Sequence, residues 1–180
     1  MSRKGRPVKV HNFRGASVDD LWFHVIPIIR KKPSYIIIHA GTVDACYSKS
    51  REILDKLLSL KSFITSKLPN CKVSLSTPTV RFDDGYPSLV VRQLTNHILE
   101  LNIGIIDNRN ITGRNIGKKG LHLNQTGTNL LAKNIFTAIK RFWREKGCPG
   151  IIHGSSDTTS DYKIETELAS IEPEHPFFIS

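Results

Sequence analysis

Three short segments carry groups that could take part in acyl transfer: Phe13-Arg-Gly-Ala-Ser17, His39-Ala-Gly-Thr-Val-Asp44 and Gly120-Leu-His-Leu-Asn124. A serine hydrolase needs a hydroxyl nucleophile, a base to take its proton, a group that orients the base, and N–H donors for the oxyanion. His122 could be the base and the Gly15 amide one oxyanion donor. No serine stands in an elbow-like turn, and the tail serines Ser155 and Ser156 have no such context.

Each of these residues also has an ordinary reading. His122 is either a catalytic base or a loop histidine before the last helix. Asp44 can simply hydrogen-bond the turn after a strand, and Gly15 and Gly41 suit turns that need positive φ or close backbone approach. His39, inside an apolar strand, reads as a satisfied core residue. Asp107, at a strand end, is either an ordinary polar terminus or a carboxylate for His122. Asn124 and Thr126 suit the start of a helix.

Composition narrows the classes. The chain has 180 residues with 39% hydrophobic and 23% charged, enough for one packed α/β domain. Three scattered cysteines fall in no CxxC or Cys/His spacing, which argues for reduced thiols and against a disulfide scaffold, a zinc site or another cofactor centre. The N-terminus shows no apolar signal segment and no run reaches membrane-span length, so an intracellular location, cytoplasmic or nuclear, and no membrane partner are expected. Eight Lys/Arg oppose two Asp in residues 1–34, sixteen oppose eight acids in 35–145, and two oppose six in 146–180. A basic body with an acidic tail could bind nucleic acid weakly through charge, although no aromatic–basic interleaving accompanies it.

The elements that would position these residues alternate. Val8–Val10 reads as a short strand. Ser17–Lys32 reads as a helix with Ser17 as cap and acids in its first turn. Tyr35–Ile38 is an apolar β-branched run, as in a strand buried on both faces. Residues 50–68 read as an amphipathic helix, 71–75 as a strand, 87–101 as a helix, 103–106 as a strand and Gln125 or Thr126 to Trp143 as the last helix. This order implies a parallel sheet in a three-layer α/β/α sandwich, with its ligand crevice beyond the C-terminal strand ends. Beyond Gly147 no periodicity survives, so residues 1–145 are expected to form the domain and 146–180 an acidic, disordered tail.

The three segments, in this order, resemble the second, third and last sequence blocks of the SGNH hydrolase (GDSL-type esterase) family, over roughly residues 8–144. The wording of several segments resembles the esterase-type domains in proteins of invertebrate non-LTR retrotransposons. The resemblance implies a flavodoxin-like sheet, a small ester substrate carrying an acyl or acetyl group, Gly15 in the oxyanion hole, Asp44 in the third-block turn and His122 as base. It also marks departures. The family's Gly-Asp-Ser turn after the first strand is absent, Val43 stands at the oxyanion asparagine, and Lys119 stands at the catalytic aspartate. The chain is therefore expected to begin after the family's first strand, to lack the centre of its sheet, and to be an inactive relative.

Overall fold

The computed structural model describes residues 8–147 and 176–179. In chain order these form β1 (Lys9–His11), α1 (Val18–Ile29), β2 (Tyr35–His39), α2 (Ser50–Lys67), β3 (Lys72–Ser76), α3 (Gly85–Leu99), β4 (Ile105–Ile106), α4 (Gln125–Glu145) and β5 (Pro176–Ile179). Short 3₁₀ turns lie at Asp44–Cys46 and Gly113–Asn115. The described strands pair in parallel as one sheet in the order β1-β5-β2-β3-β4.

Local chemistry explains most boundaries. Ser17 caps α1 by accepting the Asp20 N–H, while Asp20 accepts the Ser17 N–H in return. This reciprocal box satisfies two donors that a helix start leaves without partners. The helix ends at Ile29 and not at Lys32: the Lys31 and Lys32 N–H groups donate only three residues back, to Ile28 O and Ile29 O, and Lys32 turns the chain at φ 47°. In α3 the start lies two residues before Pro87, where the Asp84 side chain accepts the Tyr86 N–H.

The β-branched run of β2 organises both faces. Ile36 and Ile38 pack into a cluster with α1, α2 and α3, through Leu21, Val25, Ile53, Leu57, Val91 and Leu94. Tyr35 and Ile37 face the other way and meet Ile139 and Phe142 of α4. The isoleucines at 36, 37 and 38 are at most 1% exposed, and each such burial contributes roughly 1.5–3 kcal/mol. The result is the expected three-layer sandwich, with three helices on one face and α4 on the other.

The centre of the sheet departs from the sequence reading. β5 lies between β1 and β2, with Val10, Phe178 and Ile37 in register across the three strands. Flavodoxin-like sheets run 2-1-3-4-5; here the C-terminal strand occupies the middle slot expected to be empty. The expected lack of a strand at the centre of the sheet is thus corrected for the described strands, where β5 pairs with β2 along Tyr35–Ile38. Most of the expected tail, residues 148–175 together with Ser180, lies outside the described residues. Its Pro176–Ile179 stretch is a strand and not tail, with Ile179 1% exposed in the main core. Aromatic and β-branched residues favour that state, and Pro176 is tolerated as a first strand residue because its missing N–H breaks no internal ladder bond.

Candidate functional site

The crevice end of a parallel sheet is where its C-terminal strand ends open into loops. Gly15, Asp44 and His122 all sit on such loops, after β1, β2 and β4 respectively. The turn after β1 is closed by the Ala16 N–H donating to Phe13 O at 3.0 Å, and Gly15 is exposed there at φ +73°.

Asp44 is 4% exposed, and both its oxygens accept the Val18 N–H at 3.1 Å. Val18 is the first residue of α1, whose leading N–H groups have no partner inside the helix. The carboxylate therefore fastens the turn after β2 to the segment after β1. Burial pushes its pKa up, and the bond from Val18 pulls it partly back. Val43, the residue before it in sequence, carries no side-chain hydrogen-bond donor.

Arg81, a residue the sequence reading did not single out, supports the same turn. Arg81 is 7% exposed, and its guanidinium donates to Thr42 O at 2.8 Å, to Cys46 Sγ at 3.2 Å and to both Asp83 oxygens at 2.8 and 2.7 Å. The pairing with Asp83 holds Arg81 charged and lowers the Asp83 carboxyl. The only sequence signal was an Arg-x-Asp spacing, which is common on surfaces.

His122 is exposed, and its ring makes no hydrogen bond or ion pair with any described residue. Its position is set by backbone. The Gly117 N–H donates to His122 O at 2.7 Å, and Ile116 bridges to Leu123. Gly120, at φ +76°, accepts the Phe82 N–H at 2.6 Å. A Cβ there would lie 2.7 Å from the backbone of Phe82 and Asp83, which is why the motif needs glycine.

Asp107 does not serve His122. It forms a forked pair with Arg109 at 2.7–3.1 Å, which lowers its pKa. Lys119 is exposed. Asn124 caps α4 by accepting the Gly127 N–H at 3.0 Å, whereas Thr126 lies within the first helical turn and not at the cap.

A second polar group ties three strand ends together. The Asn108 side chain donates to Ser76 Oγ at 2.8 Å and to Thr77 O at 2.6 Å, and accepts from Asn134 at 2.9 Å. Ser76 Oγ lies 3.0 Å from His39 Nδ1. With Oγ accepting from Asn108, the hydroxyl proton is free to go to the histidine, which needs a neutral ring. Burial lowers the His39 pKa to about 4, which keeps it neutral. The Ser–His spacing resembles a nucleophile–base pair, but Ser76 is 2% exposed, so the hydroxyl is closed to an ester carbonyl in this conformation. The group is a clamp, and His39, half-buried at the end of β2, is satisfied within it.

Among the described residues no group of three or more His, Cys, Asp or Glu could hold a metal ion, and no helix is long and apolar enough to cross a membrane. A groove of about 560 Å³ lies along β4 under α4, lined by Ser74, Ile105, Asp107, Lys133, Asn134 and Arg141, and none of Gly15, Asp44 or His122 lines it.

No family profile and no curated protein sequence matches the chain. Solved structures do. A carbohydrate esterase family 3 protein from Talaromyces cellulolyticus superposes with a TM-score of 0.61 at 16% identity, over 73% of this chain and 70% of that one. A lipase/acylhydrolase from Enterococcus faecalis gives 0.60 at 23% identity, over 71% and 72%. A GDSL-like lipase from Bacteroides thetaiotaomicron gives 0.59 at 16%, over 71% and 73%. The chain shares the fold of these GDSL-type acylhydrolases and esterases.

Proposed function

We propose that this chain is an SGNH-type hydrolase (esterase) domain by descent that does not turn over esters as given, with its ancestry among retroelement esterase-type domains. The observation that carries the reading is the state of His122. The three block-like segments stand at crevice loops of an esterase-like fold, yet the one candidate base has no acid and no hydroxyl on its ring among the described residues.

The chemistry follows from that arrangement. A base that takes a hydroxyl proton becomes a cation, and an oriented carboxylate stabilises it. Asp107 is held by Arg109, and Asp44 by the start of α1. The oxyanion would retain the Gly15 amide but gain nothing from Val43, and one lost donor costs roughly 100- to 1000-fold in rate. What remains, on this reading, is an esterase-like fold whose strand-end loops served a small ester carrying an acyl or acetyl group, without the proton path to cleave it.

Hydrolysis of p-nitrophenyl acetate by the purified chain tests this. The expected rate equals that of a heat-denatured control. Turnover that disappears in His122→Ala would overturn the proposal.

A further inference from the structure

We infer that the slot between β1 and β2 is a strand-binding site which a second copy of this chain can fill with its own β5, giving reciprocally exchanged dimers.

The sheet makes β5 an unusual element. It is four residues long, yet it pairs on both edges, with β1 over Lys9–His11 and with β2 over Tyr35–Ile38. β1 has no other strand neighbour in the described sheet. The residues from 8 to 147 thus leave a gap one strand wide, bounded by the apolar β2 and by β1 and floored by the core cluster that receives Ile179. Main-chain bonds on two sides supply affinity and the buried Ile179 supplies register, the physics by which extended segments add to sheets.

The covalent path does not confine the strand to its own domain. Gly147 closes α4 and Pro176 opens β5, with the 28 residues from 148 to 175 between them. At about 3.3–3.6 Å per residue such a connection reaches on the order of 95 Å when extended, farther than the width of the domain it leaves. The same strand can therefore reach the slot of a neighbouring copy. Exchange of an identical element replaces every contact with its equal, so its cost is mainly concentration. Parallel pairing in the sheet centre also leaves no alternative edge for β5 among the described strands except the outer edges of β1 and β4.

The experiment is refolding of the full chain from denaturant at two concentrations, about 10 µM and about 2 mM, which bracket the millimolar effective concentration of a tethered segment. Both samples are then diluted alike and run on size-exclusion chromatography with light scattering. Exchange predicts monomer from the dilute sample and a dimer from the concentrated one, with the dimer share at least about tenfold greater because the effective concentration has been exceeded.

Phe178→Pro places a residue without an N–H at the centre of β5, where both neighbours are paired, so this chain should form no dimer at either concentration. If that chain does not fold alone, a synthetic peptide of residues 168–180 added in trans should restore a cooperative melt, and a shuffled peptide should not. Wild-type chain that stays monomeric after refolding at about 2 mM, above the tethered concentration, overturns the inference. So does a dimer that persists in Phe178→Pro, since its interface would then lie elsewhere.

Discussion

Asp44 receives the Val18 N–H through both carboxylate oxygens at 3.1 Å, joining the turn after β2 to the first residue of α1 across 26 positions of sequence. Asp44→Ala would leave that N–H buried without a partner, and the expected loss is about 1–3 kcal/mol in urea denaturation at pH 7. Asp44→Asn keeps an acceptor and should cost less than half as much. The pH dependence has a definite sign. Burial raises the folded-state pKa, so this group's contribution is fully present below its unfolded value and falls as pH rises through the folded one. The gap between wild type and Asp44→Asn should change in that direction, and an unchanged gap from pH 3 to 7 would contradict it.

His39 should give the protein an acid-sensitive limb. Its pKa falls to about 4 because burial disfavours the imidazolium, and His11 shifts the same way through burial and the nearby Lys31 and Lys9. Stability from a depressed histidine is present above the unfolded value near 6.5 and is lost as pH falls toward 4. For His39 the loss is on the order of 2–3 kcal/mol. His39→Gln should flatten that limb in thermal melts between pH 4 and 6.5. Equal slopes in both proteins would show that the ring is not the sensor.

Gly120 and Gly15 share a positive φ but not surroundings. An alanine Cβ at 120 would meet Phe82 and Asp83 backbone at 2.7 Å, while at 15 it would meet nothing within 4 Å. Gly15→Ala should cost only the conformational penalty of about 1–2 kcal/mol. Gly120→Ala should cost more, because backbone has to move, and should shift the amide signals of the His122 loop in NMR. Equal losses would remove the close approach as the reason for glycine in that motif.

The alternation of strands and helices was readable because apolar periodicity and caps mark them directly: Ser17 with Asp20, Asn124 before α4, and the uninterrupted Tyr35–Ile38 run. The middle of the sheet was not. Phe177-Phe-Ile179 is a short apolar run within an acidic, aperiodic stretch, and its strand state comes from partners more than 130 residues away in β1 and β2. The site was half legible. Motif order placed Gly15, Asp44 and His122 on crevice loops, but no spacing rule reveals that Asp44 is taken by Val18, that Asp107 is taken by Arg109, or that Arg81 braces the turn from the loop after β3.

Deleting residues 176–180 should unravel more than a terminus. β1 would lose its only strand neighbour among the described residues, and β2 one full edge. Buried backbone groups without partners cost roughly 1–3 kcal/mol each, against a typical total of about 5–15 kcal/mol. The shortened chain is expected to lose its cooperative melt or to associate through the open edge of β2. An unchanged melting temperature and a clean monomer would mean that β5 contributes little to the sheet.

The proposed inactivity requires that no nucleophile be activated, which an alkyl fluorophosphonate reads directly, because it phosphonylates an activated serine by displacing fluoride. Intact-mass spectrometry after incubation at pH 7.5 is expected to show the unmodified mass, with or without His122→Ala. Ser180, which follows β5 in sequence, is the position at which an adduct is sought. A stoichiometric adduct that maps to Ser180, disappears in Ser180→Ala and slows in His122→Ala would contradict the account, because the strand at the sheet centre would then have brought in the missing hydroxyl.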